Sequence, residues 1–355
     1  MMNAVSFGLI EAGYWNLDAA GTSNWLDWIV GVGGEIFVDQ KMMGLFSLLF
    51  GVGIVVFADR AALKSEHPVR LSIWRNSLLL GIGILHALLW DGDVLIVYAI
   101  CSPVLLAMRK RSPKTLFITA GVLMASSVTL AFVAQSTVDA AGLDLGEYWL
   151  VSGGEMSGPV IGYLIGDVFL RALAMMLIGI ALFRLQIVQG QKSPDYYRRM
   201  VRVGLGVGMP IAAAGAIWQL GTDFSPDIAL ASATLNTLAT IPLVFAYLGI
   251  ITLFNQRREG AVHTRIRAVG RMALTNYLTQ TVIGVVVLTN WIGKDELGRS
   301  GILVFVLCVW ALQLVWSKPW LDRFGQGPAE SIWRSLTYRH RPFRSAGRKL
   351  PSTSG

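Results

Sequence analysis

The feature that most constrains this chain is a succession of long apolar runs with little charge inside them. Crossing the hydrocarbon of a bilayer takes about 20 mostly apolar residues in a helix. Nine runs approach that length, at 42–58, 76–91, 93–108, 115–134, 160–183, 201–220, 232–254, 271–291 and 301–317. Only helices and closed barrels satisfy the backbone inside lipid, and these runs are continuous rather than alternating, so they predict helices. The expected fold class is all-α: a polytopic membrane helix bundle of about nine spans over residues 1–317, then a basic tail over 318–355. The chain is 54% hydrophobic and 15% charged, whereas a soluble domain carries about a quarter charged residues. The second and third runs form a hairpin joined by "DGD" at 91–93.

Charge in the connections sets the orientation. Of 30 Lys and Arg, 26 fall in 59–75, 109–114, 184–202, 255–271 and the segment after Trp316, which is every second connection. The remaining connections are acidic: Glu11, Asp18, Asp27, Glu35 and Asp39; Asp91 and Asp93; Asp139, Asp144, Glu147 and Glu155; Asp223 and Asp227. Basic loops stay on the cytoplasmic side of a bacterial inner membrane. The C-terminus is therefore expected in the cytoplasm, with the acidic segment 11–40 and the loop 135–158 outside. The net charge of +8 follows from this sidedness and faces anionic lipid. No zinc-finger spacing or compact basic domain points to nucleic acid.

Smaller features narrow the reading further. "MMNAVSFGLI" is apolar but has no basic n-region and no cleavage motif, so it does not read as a signal peptide. Cys101 and Cys308 lie in apolar runs and offer neither a disulfide framework nor a metal motif, and no metal site is expected. The paired glycines of "LFGVGIVV" and "LLGIGILHA" lack the strand–turn–helix setting of a nucleotide loop; they read as small residues that let membrane helices approach.

Four stretches carry a resemblance: "KMMGLFSLLFGVG", "GIGILHALLWDGDVLIVYAI", "GRMALTNYLTQ" and "WLDRFGQGPAESIWRSLTY". Together, and in this order, they resemble the YeiB-like bacterial inner-membrane proteins, the domain of unknown function 418. Such proteins usually begin with a helix that carries an Arg-Gly pair and ends in something like "LLMNIxSF". The resemblance therefore implies that residues 1–10 are the remnant of a first helix. The family is also distantly similar to the transmembrane acyltransferases, including the heparan-glucosaminide acetyltransferase type. Those move an acyl group from a cytoplasmic acyl-CoA to an acceptor across the membrane, and an intramembrane histidine is central to them.

The candidate residues follow from cost. Ionisable groups at membrane depth are expensive and tend to be functional. His86 lies one turn before Trp90, and a neutral imidazole there can act as a general base. Asp91 and Asp93 follow within seven residues. Either is a candidate to orient the imidazole, while Asp93 is equally placed to cap the returning helix. Asp167 and Arg171 share a helix face at i, i+4, as a structural ion pair or as an anion-binding arginine held by its acid. Asn276, Tyr277 and Gln280 are polar groups inside a span, where cross-helix bonding is the usual role and a polar cavity lining the alternative. Arg75 and Arg271, on the cytoplasmic side, are candidates to bind substrate, Arg271 within a basic cluster that could receive an anionic headgroup or the phosphates of coenzyme A.

Two functions of different class remain. As an acyltransferase, the chain would use His86 to activate an acceptor, and its basic residues would hold an acyl-CoA donor. As a transporter or flippase of a small anionic or lipid-linked substrate, it would use Asp167, Arg171, His86 and Asp93 to line a path. Inverted repeats are the usual signature of such carriers, and no convincing repeat is visible. Expected partners are membrane lipids, the small-molecule or lipid-linked substrate, and a second copy of the chain in a homo-oligomer.

Overall fold

The computed structural model describes residues 3–63, 66–142, 145, 149, 158–257 and 260–338. Every regular element among them is helical. In chain order they are α1 Ala4–Gly8, α2 Glu11–Trp15, α3 Trp25–Phe37, α4 Lys41–Ala62, α5 Pro68–Ala87, α6 Leu95–Met108, α7 Pro113–Ala140, α8 Gly158–Arg184, α9 Pro194–Gly221, α10 Ala229–Asn255, α11 Ala261–Arg271, α12 Ala273–Gly284, α13 Arg299–Phe324 and α14 Pro328–Tyr338. A π-helical stretch, Val285–Ile292, continues α12. Each of the nine apolar runs lies in or largely within one of these helices.

The number of spans is corrected. Six stretches among the described residues are long and apolar enough to cross a membrane, and a seventh forms if the bent pair of α11 and α12 is one span. The two runs that drop out are the hairpin. The first two turns of α5 carry Arg70, Ser72, Arg75 and Asn76, which dilute its apolar character. Helix α6 has 14 residues, about 21 Å at 1.5 Å per residue, against about 30 Å of hydrocarbon. Both drop out together, so the alternation of basic and acidic ends along the other helices is unchanged. Below, the ends of the bundle are called basic and acidic.

Helix α8 is the centre of the bundle and packs against α4, α6 and α7. Its crossing with α4 is very close: a Cβ on Gly51 would lie 2.3 Å from the Met176 carbonyl oxygen, and one on Gly179 would lie 2.1 Å from that of Leu48. Of the two glycine pairs in the sequence, Gly51 and Gly83 serve such approaches, while Gly53 and Gly81 face open space. Helix α9 uses Gly204 and Gly208 in the same way against Pro242 and Leu243 of α10.

The acidic segment 11–40 is folded rather than loose. Arg299, at the head of α13, donates to the carbonyls of Gly13, Asn16 and Ala20. Asp27 of α3 accepts from Ser300 N–H and Oγ, Ser23 Oγ and Asn24 Nδ2. Together these pin the N-terminal segment onto α13. Of the predicted 135–158 loop, residues 135–140 belong to α7; 143–144, 146–148 and 150–157 lie outside the described residues. Of the predicted tail, 318–324 complete α13, 328–338 form α14, and 339–355 lie outside.

Candidate functional site

The α5–α6 hairpin brings His86 and Asp93 together. Gly83 makes this possible, because a Cβ there would sit 2.9 Å from both Asp93 Oδ2 and Ile96 N. Asp93 Oδ2 accepts the Ile96 N–H at 3.0 Å and so satisfies an orphan donor at the start of α6. Its Oδ1 meets His86 Nδ1 at 2.7 Å and accepts the Tyr277 hydroxyl of α12 at 3.1 Å. Capping and orienting, set out above as alternatives, coexist on one carboxylate. Asp91 is exposed on the turn. His86 is 3% exposed and Asp93 8%, so the pair is inside the protein. The imidazole rests against Tyr277, ring centroids 4.9 Å apart, and Trp90 stands edge-on at 6.3 Å. His86 Nε2 is buried and has no hydrogen-bond partner.

An ionised Asp93 requires a proton on Nδ1 of the neutral ring, which leaves the Nε2 lone pair free. A carboxylate on one nitrogen and an open lone pair on the other is the arrangement of an oriented general base. The site lies eleven residues beyond Arg75 along α5, about 17 Å by helix rise, at the end of that helix beside the 91–93 turn.

Asp167 and Arg171 form the expected i, i+4 pair inside the protein, and Ser127 of α7 donates to Asp167. They have company that sequence reasoning missed. Lys41, fully buried, donates to the Glu35 carbonyl at 2.7 Å and to Asn236 of α10. Asn236 donates in turn to Asp39 at 3.2 Å. Asp39 is within electrostatic reach of Lys41, Arg171 and Asp167. The missing signal was available: only four basic residues escape the basic loops and tail, namely Lys41, Arg171, Lys294 and Arg299. Three of these four are buried.

The remaining candidates hold the basic end together. Asn276 donates to the Val269 carbonyl and to Ser317 Oγ, and accepts from Trp316. Gln280 donates to Gln313. Tyr277 alone of this trio reaches the histidine. The Arg75 guanidinium is sandwiched between Phe57 at 4.2 Å and Trp333 at 4.1 Å, and Arg271 donates to the Gly325 carbonyl. Helices α11 and α12 meet at 80°. At that break Glu330 of α14 accepts the Leu274 and Thr275 N–H groups and the Thr275 hydroxyl. The stretches "GRMALTNYLTQ" and "WLDRFGQGPAESIWRSLTY" are thus two halves of one contact. Glu330 was missed because two of its three partners are backbone amides and the third, the Thr275 hydroxyl, is 55 residues away.

Residues 182–340 match the family described as Protein of unknown function (DUF418). The chain is 30% identical to the uncharacterized protein YeiB of Escherichia coli (strain K12), in an alignment covering 100% of this chain and 95% of the relative. It is 30% identical to the uncharacterized protein YxaH of Bacillus subtilis (strain 168), over 86% of this chain and 81% of that one. An uncharacterized 39.9 kDa protein in the amylase 3' region of Bacillus acidopullulyticus is 23% identical over 86% of this chain and 82% of the relative. No solved structure matches. A helical membrane protein with these motifs and these relatives belongs to the YeiB-like DUF418 family.

Proposed function

We propose that this chain is a bacterial inner-membrane group-transfer enzyme in which His86 is the general base that activates an acceptor. The observation that carries this is the buried imidazole with Nδ1 on Asp93 and Nε2 unpartnered. In an acyl transfer, Nε2 would take the proton of an acceptor hydroxyl or amine as that atom bonds the acyl carbon. It would then return the proton to the departing group. Asp93 fixes the tautomer, and Tyr277 holds Asp93 from a second helix. The basic end is assigned to the cytoplasm by the charge of its loops.

An acyl-CoA donor would need cations for its phosphates. Arg75 and Arg271 remain the candidates for that role: Arg75 is held between Phe57 and Trp333 by its faces, and Arg271 gives one bond to the Gly325 carbonyl. The proposal itself rests on the acceptor half of the reaction. Transport of a small anionic or lipid-linked substrate is the second reading, and it draws on the separate buried charges around Asp167 and Arg171.

The test uses membranes from cells that overproduce the chain. Labelled acyl-CoA is supplied, and incorporation into lipid and glycan extracts is followed for wild type, His86→Ala and Asp93→Asn. Incorporation that depends on both residues supports the assignment. Incorporation unaffected by His86→Ala in a well-expressed variant rejects it.

A further inference from the structure

One basic stretch of the sequence, "RKRSPK" at 109–114, has no part in the His86 site. It forms the turn between α6 and α7 at the basic end. The turn is held in shape from the last residue of α8: Arg184 donates to the Arg111 carbonyl at 2.8 Å and to the Arg109 carbonyl. Ser112 caps α7 by accepting the Thr115 N–H at 3.2 Å, so the positive end of that 28-residue helix opens onto the same turn.

Five cations meet there: Arg109, Lys110, Arg111 and Lys114 of the turn, and Arg184. Loops rich in Lys and Arg are ordinary on the cytoplasmic side, but ordinary ones keep their charges in water. Lys110, Arg111, Lys114 and Arg184 are exposed in that way. Arg109 is not. It is 9% exposed, and its Nη1 is buried without a hydrogen-bond partner. A guanidinium N–H can only donate, so what Nη1 lacks is an acceptor. The ion pairs at the basic end among the described residues, Arg198–Asp195 and Lys318–Asp322, lie on α9 and α13 and leave this turn without a carboxylate. A buried charge with neither acceptor nor counter-charge is costly. An anion with several oxygens supplies both. Phosphate does so best, because it meets arginine in a bidentate fashion and suits a helix N-terminus.

We propose that the α6–α7 turn is a phosphate-binding site, in which Arg109 and the four exposed cations take a phosphate or pyrophosphate group carried by a soluble ligand or by a lipid headgroup. The site uses neither Arg75 nor Arg271 and does not rest on the group-transfer assignment. Arg109 follows Asp93 by sixteen residues, about 24 Å of helix rise, so the phosphate site and the His86 site stand at opposite ends of α6.

The test is thermal unfolding of the full chain in phosphatidylcholine nanodiscs, titrated with inorganic pyrophosphate against sodium chloride of equal ionic strength. A ligand of the folded state raises the midpoint with the logarithm of its concentration. Wild type should show that rise. Lys192→Gln, an exposed cation of the next basic loop, should keep it, and Arg109→Gln should lose it. If Arg109→Gln does not fold, the exposed triple variant Lys110→Gln, Arg111→Gln, Lys114→Gln decides in its place by loss of the rise. If a lipid headgroup is the carrier, nanodiscs containing phosphatidic acid should raise the wild-type midpoint above that in phosphatidylcholine alone, and the same variants should lose this rise. The proposal is overturned if neither pyrophosphate nor phosphatidic acid stabilises wild type. It is equally overturned if the rise survives the deciding variant, or if Lys192→Gln loses it to the same extent.

Discussion

Replacing Asp93 by Asn separates the two roles of that carboxylate. The side chain accepts three bonds, from Ile96 N–H, His86 Nδ1 and the Tyr277 hydroxyl. An asparagine has one acceptor oxygen and one donor NH2. The Ile96 N–H is a fixed donor, whereas the imidazole can shift its proton and the Tyr277 hydroxyl can rotate. The amide oxygen should therefore turn to Ile96 and keep the α6 cap. The NH2 then faces His86, and Nδ1 must become the acceptor, moving the ring proton to Nε2. Charge-assisted bonds contribute about 1.5–3 kcal/mol and neutral ones about 0.5–1.5, so losing the charge on two bonds should cost about 2–3 kcal/mol. Asp93→Ala strands all three donors at about 1–3 kcal/mol each; such losses are not additive, and about 3–5 kcal/mol is expected. Thermal unfolding in detergent ranks the variants, and nitrogen NMR of labelled histidine reads the tautomer. Turnover should fall by about 100-fold to 10,000-fold in Asp93→Asn, the range for removing a general base, although the protein stays folded. A wild-type His86 that carries its proton on Nε2, or an Asn variant with an unchanged tautomer, would refute this account of the site.

Other outcomes follow from the packing. Gly179→Leu should prevent the α4–α8 crossing and abolish monodisperse protein on size exclusion, whereas Gly53→Ala, which meets nothing within 4 Å, should be silent. Glu330→Ala should lower stability by about 1–2 kcal/mol, the range for a lost helix cap, with Glu330→Gln partly restoring it in a denaturation series. A reporter fused after Gly355 should be active only if cytoplasmic reporters are used; periplasmic activity would overturn the assigned orientation.

The apolar runs located the helices because lipid leaves the backbone no alternative, and the i, i+4 spacing was enough to pair Asp167 with Arg171. His86 and Asp93 were legible because a tight hairpin makes neighbours of residues seven apart. Tyr277 was a candidate only as bundle polarity, since its bond to Asp93 spans 184 residues. Lys41 and Asp39 were hidden for a different reason. They stand at the border of an apolar run, where charge normally means solvent, and only the fold shows that Lys41 is buried and that Asp39 meets Asn236. The span count failed where a helix polar at one end and a short helix imitate full ones. An apolar run records that a segment avoids water, not how far across the membrane it reaches.

The brevity of α6 has a consequence for the lipid around it. Its roughly 21 Å stands beside α7, whose 28 residues rise about 42 Å, and the two are joined by a four-residue turn. Helix α5, with 20 residues, rises about 30 Å and matches the hydrocarbon, so the shortfall falls on the α6 arm alone, where either the local leaflet thins or the polar turn at 91–93 is drawn into acyl chains. Such hydrophobic mismatch costs fractions of a kcal/mol per ångström. The hairpin that carries His86 is thus a thickness gauge: short-chain lipids should relax it, and long-chain or sterol-stiffened bilayers should load strain onto the His86–Asp93 contact. In nanodiscs of graded chain length, the thermal midpoint of the protein should fall as the bilayer thickens.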